Sequence, residues 1–219
     1  MSEYQYFEFQ AIDLPLSAAD REALRALSTR ARITATSFTN HYEWGDFKGD
    51  PTRLMETCCD LHLYLANWGS RQLMIRWPAK LIDRKRLDAF LHEVDCAELR
   101  RAGQNLILDI AIDEVESEDW DDRSGWLAAL APLRTDVIGG DLRLFYLLWL
   151  SAVEADVFKP DEPETHAGNW ADDRGAGSLC RFLPHRPRSR RGSQRARRRY
   201  ACERVGLIER GQTSHRRNA

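Results

Sequence analysis

The chain has 219 residues, of which 43% are hydrophobic and 30% charged. That is enough apolar material for a packed core, and it excludes a chain disordered throughout. Lys and Arg total 32 against 34 Asp and Glu, but the balance hides an asymmetry: residues 1–170 carry 18 basic and 30 acidic side chains, whereas 171–219 carry 14 basic side chains, all arginine, and 4 acidic ones.

The N-terminal MSEYQYFEFQ has neither the basic nor the apolar region of a secretory signal. The most apolar stretch, 142–153, is interrupted by Arg143 and too short to span a bilayer. A cytoplasmic location with no membrane partner is expected. Cys58, Cys59, Cys96, Cys180 and Cys202 form an odd set without a CxxC pair, which fits reduced thiols in that compartment.

Residues 4–12 are aromatic-rich and loosely alternating, as in a strand. Ser17 opens a helix with Asp20 as capping-box partner, and Leu24, Leu27 and Ala31 recur on one face. The β-branched run 33–44 predicts a strand, closed by Gly45, Gly49 and Asp50-Pro51. Asp50 as N-cap and Pro51 at the first helical position predict a short helix burying Leu54, Met55 and Cys58. A disulfide between neighbouring Cys58 and Cys59 inside that helix would be strained.

The clearest hairpin joins 61–68 to 72–77 through Gly69-Ser70. Both of its faces are largely apolar, so it should be central in its sheet. Asp83 caps a helix with Leu87, Phe90 and Leu91 inward. A second hairpin joins 97–101 to 105–113 around Ala102-Gly103, the latter strand half-buried. After the acidic run 114–122, Ser124 begins a helix with Trp126, Leu127 and Leu130, ending near Pro132. The last element, 142–158, is a helix apolar on nearly every side, suited to a core or to self-association. Helices alternating with antiparallel pairs define an α+β class: a mostly antiparallel sheet with helices packed against it, one domain over 1–160.

From 166 onward the periodicity disappears, and 161–219 reads as an Arg-rich tail without a fold. Runs such as Arg197-Arg198-Arg199 suit a nucleic-acid arm or a localisation patch. A third reading is a shifted frame. Read from the second base of the Thr165 codon, with synonymous bases chosen freely, 166–192 can encode MPGIGPMTGALEAFADFFRIDPDLVEA, which has loop, cap and amphipathic signals. The nucleotide sequence decides between them. A nucleic-acid partner is expected only if the arginine tail is genuine.

The densest polar and aromatic cluster is Asn40, His41, Tyr42, Glu43, Trp44, Asp46, Phe47 and Lys48. A strand-to-helix loop of that kind can bind a protein or peptide partner, or it can be a surface loop plugging the sheet edge. The acidic run offers Asp119, Asp121 and Asp122 as hard oxygen ligands for a divalent cation, without EF-hand spacing. His41, His62 and His92 lack the spacing of a zinc site. No phosphate loop or nucleophile elbow is present, so no catalytic residue and no cofactor is assigned.

The stretches FTNHYEWGDFKGDP (38–51), LYLANWG (63–69) and the run from DWDD (119–122) to LLW (147–149) resemble a family of uncharacterised bacterial proteins over roughly residues 4–160. The resemblance implies a bacterial origin and a continuation much like the shifted reading; it implies no activity. The expectation is a non-enzymatic binding or accessory module, with a divalent-metal-dependent hydrolase as the alternative.

Overall fold

The computed structural model describes residues 4–92, 94–113, 125–154 and positions 179, 182 and 183. Strand β1 (Gln5–Gln10) leads into helix α1 (Ala18–Leu27). The expected capping box is complete: the Ser17 hydroxyl accepts from the Asp20 N–H at 3.1 Å, and the Asp20 carboxylate accepts from the Ser17 N–H at 2.9 Å.

The run expected as one strand over 33–44 is instead two, β2 (Arg32–Ile33) and β3 (Ser37–Tyr42), folded back on each other. The Thr34 N–H donates to the Ser37 carbonyl at 2.8 Å, and the two hydroxyls share a bond of 2.7 Å. Such local bonds compete with a continuous strand.

Helix α2 (Pro51–Thr57) starts as its sequence predicts, the Asp50 carboxylate accepting from the Arg53 N–H at 3.3 Å. It stops at Thr57, so Cys58 is the C-cap and the cysteine pair lies past the helix rather than within it. Strands β4 (Leu61–Ala66) and β5 (Arg71–Pro78) form the first hairpin. Helix α3 (Arg84–Leu91) follows its Asp83 cap. Strands β6 (Ala97–Ala102) and β7 (Asn105–Ile112) form the second hairpin, whose turn places Gly103 at φ +58°.

The helix expected to end near Pro132 is α4 (Trp126–Leu130), and a further helix that the sequence reading does not place, α5 (Pro132–Ile138), follows it. Pro132 opens the second rather than closing the first, since its missing N–H costs nothing at the first helical position. Helix α6 (Arg143–Glu154) comes last; residues 155–158 of the expected element lie outside the described residues.

Among the described residues, seven strands make one sheet in the order β2-β3-β1-β4-β5-β7-β6, each neighbouring pair antiparallel. The class is α+β. Strand β4 is central, as its two apolar faces predict.

One face carries Leu61, Leu63, Leu65, Leu73, Ile75, Trp77, Leu106, Leu108 and Ile110 under helices α3 to α6. The other carries Phe7, Phe9, Phe38, Met74 and Ile107 under Leu24, Phe47 and Met55. Leu144, Phe145 and Leu148 of α6 are buried in the first layer. So are Leu179, Phe182 and Leu183, which belong to the segment that reads as a tail. No helix among the described residues is long and apolar enough to cross a membrane.

Candidate functional site

The sheet's larger face changes character along a single row. Read strand by strand from the β2 edge, the cross-strand partners are Arg32, Thr39, Glu8, Leu63, Leu73, Ile110 and Ala97. Directly paired residues share a face, so three polar residues continue the line that is apolar under the helices. The next row repeats the pattern, with His41 and Tyr6 leading to Leu65. A cleft of about 530 Å³ occupies this polar half, lined by Tyr6, Glu8, Arg30, Arg32, Thr39, Asn40, His41 and Gly125.

Its side chains are tied together at one end. The Tyr6 hydroxyl donates to Glu8 Oε2 at 2.7 Å, and Tyr4 and His41 share a hydrogen bond between Oη and Nδ1. The His41 and Tyr6 rings are 4.9 Å apart. Burial raises the pKa of the Glu8 carboxyl, against the opposing pull of the Tyr6 hydroxyl and the His41 charge. At the other end Arg30 and Arg32 are exposed, with no ion pair among the described residues. The lining carries a carboxyl (Glu8), two hydroxyls (Tyr6 and Thr39) and an imidazole (His41), but no Ser, Cys or Lys.

Of the residues singled out from sequence, Asn40 and His41 line this cleft. Strand alternation puts His41 on the face of Thr39, Glu8 and Tyr6, and Asn40 and Tyr42 on the opposite face with Phe7. Asn40 is buried with its amide nitrogen donating to the Ser28 hydroxyl at 2.9 Å. Tyr42 packs edge-on to Phe7 on the opposite face, and Phe47 is buried there. Glu43, Asp46 and Lys48 are exposed, Asp46 accepting from the Phe47 N–H at 2.7 Å. Trp44 stands 75% exposed beside Gly45.

Asp119, Asp121 and Asp122 lie outside the described residues, and among the described residues no group of three His, Cys, Asp or Glu side chains is placed to hold a metal ion. Glu8, Tyr6, Arg30 and Arg32 were not anticipated. The available signal was a carboxylate between Phe7 and Phe9 in a strand otherwise suited to a core.

His62, which by its spacing is no zinc ligand, is buried in the other layer. It stacks on Phe9 at 4.0 Å, and its Nδ1 donates to the Glu8 carbonyl at 3.1 Å. Burial pushes its pKa down to about 3. The unfolded chain therefore binds a proton that the folded one refuses. Stability on this account falls as pH drops below about 6.5, and the loss levels off only below about 3. Relative to His62→Gln, the wild type is expected to lose about 2 kcal/mol more between pH 7 and pH 5 in urea melts. Parallel pH profiles would remove this assignment. Comparison of the chain with protein-family models, curated proteins and solved structures gives no match.

Proposed function

We propose that the chain is a non-enzymatic binding module that takes an extended, acidic segment of a partner protein along the outer edge of β3, with the cleft receiving its side chains. The observation that carries this reading is the row Arg32–Thr39–Glu8–Leu63: a sheet face that keeps its register but turns from apolar to polar and borders a cleft there.

Two further features support it. Strand β2 pairs with Phe38 and Thr39, and among the described residues no strand pairs with Asn40, His41 or Tyr42 on that side. An edge without a paired strand among the described residues, beside a groove, suits strand addition, in which main-chain bonds supply affinity and alternate side chains supply specificity. Arg30 and Arg32 present planar forks that match carboxylates.

The test is fluorescence anisotropy with two labelled octapeptides, one alternating Glu and Val, the other Lys and Val. The acidic peptide is expected to bind at least about tenfold more tightly, less so at high salt, and the double variant Arg30→Glu, Arg32→Glu should reverse the preference. Binding of neither peptide, or an unchanged preference after reversal, overturns the reading.

A further inference from the structure

The end of α2 brings two thiols together outside any helical constraint. Cys58 has non-helical backbone angles, φ −135° and ψ −11°, and both its N–H and that of Cys59 donate to the Leu54 carbonyl at 3.0 Å. The two sulfurs lie 3.6 Å apart. Cys58 is half-exposed, whereas Cys59 is 1% exposed in the core between the sheet and α1 and α2. An accessible sulfur in contact with a buried one is the arrangement of an attacked and a resolving thiol.

We propose that Cys58 and Cys59 form a modification site for hydroperoxides, closing to a vicinal disulfide. The Cys58 thiolate attacks the O–O bond of the peroxide. An S–O bond forms as O–O breaks, the departing hydroxide takes a proton, and Cys58 is oxidised by two electrons to the sulfenic acid. The Cys59 sulfur then attacks Cys58 Sγ, the S–S bond forms, and the hydroxyl leaves as water with the Cys59 proton. Two thiols and one hydrogen peroxide give one disulfide and two waters.

The local charges agree with these roles. The Cys58 thiol is held down to about 7, first by its hydrogen bond with Cys59 and further by the Thr57 side chain and the Arg76 charge, against burial and the Asp20 charge. Cys59 is pushed up, first by the same bond and then by burial, so it rests as a thiol while Cys58 is attacked; in the second step its proton passes to the departing hydroxyl as its sulfur attacks. Burial raises Cys96 as well, which leaves Cys58 as the reactive thiol among the described residues.

The experiment treats the reduced full-length chain with hydrogen peroxide, alkylates the remaining thiols and maps the peptides by mass. The peptide containing Cys58 and Cys59 is expected to lose both alkylation sites and two hydrogens, reversibly with dithiothreitol, at a rate rising about tenfold from pH 6 to pH 8. Cys58→Ser should leave Cys59 reduced. Cys59→Ser should leave a sulfenic acid that dimedone traps. Two alkylatable thiols persisting in the wild type, bridging of Cys58 to Cys96, Cys180 or Cys202, or equal oxidation of Cys59 in Cys58→Ser would overturn the proposal. The wild-type peptide map decides alone if either variant fails to fold.

Discussion

Asp60→Ala is expected to remove about 3–5 kcal/mol of stability, a large part of the 5–15 kcal/mol typical of a domain. Asp60 is fully buried at the start of β4 and holds five donors. Oδ2 accepts from the backbone N–H groups of Ile12 and Asp13 at 2.6 and 2.9 Å. Oδ1 accepts from Arg76 Nε and Nη2 at 3.1 and 2.9 Å and from Arg134 Nη2 at 3.5 Å.

The carboxylate thus joins the β1–α1 connection, β5 and α5 at one point. Arg134, 4% exposed, also donates to the Arg76 carbonyl at 2.7 Å and to Asp13 at 2.6 Å, and its own carbonyl accepts from the Trp77 indole at 2.9 Å. Removing Asp60 leaves the guanidinium of Arg76 with only backbone carbonyls and that of Arg134 with Asp13 as its one remaining carboxylate, both largely out of water, and that poorly compensated charge is what makes the loss large. Asp60→Asn keeps the shape but turns an amide toward a ring of donors, so it should fall between the wild type and alanine. A midpoint drop of about 6–20 °C in thermal melts is expected for alanine; a drop below about 2 °C would mean the knot contributes little.

That knot also shows what was legible in the sequence. Ser17 with Asp20, Asp50 with Pro51, and the Gly103 turn are local devices, complete within a few residues, and each appears where its sequence placed it. The alternation of β7 and the two-sided apolarity of β4 gave the sheet its faces for the same reason. Arg134 was hidden because its partners are 58 to 121 residues away, and because Pro132 read as a stop. The cleft was half-visible. His41 stood out by type, but the loop around it was read as one surface, whereas the period of a strand divides it between two faces. Arg32 and Glu8 meet only through Thr39, and that requires the pairing register, which no single segment contains.

The second large effect is expected from the far end of the chain. Leu179 and Phe182 are fully buried and Leu183 is 6% exposed, all within the larger apolar layer. The Leu183 N–H donates to the Leu179 carbonyl at 2.9 Å, and the three apolar side chains all enter the same layer. The Phe182 carbonyl accepts from Arg71 Nη1 at 3.3 Å, and Arg71 is itself only 6% exposed on β5.

Phe182→Ala should therefore cost about 3–5 kcal/mol, because an aromatic void in a packed layer does not collapse fully. Truncation after 165 should cost at least as much, since it removes all three anchors together with an acceptor for a buried guanidinium. The shifted reading of 166–192 has phenylalanine at positions 179, 182 and 183, so a chain carrying that segment fills the same three places. Urea melts of the full chain, the truncation and the exchanged chain separate the possibilities. If the anchors matter by shape and apolarity, the first and third should agree within about 2 kcal/mol while the truncation falls well below both. A truncation as stable as the full chain would mean that the layer closes without them, and that the stretch beyond 165, as it stands in this chain, contributes nothing to the fold.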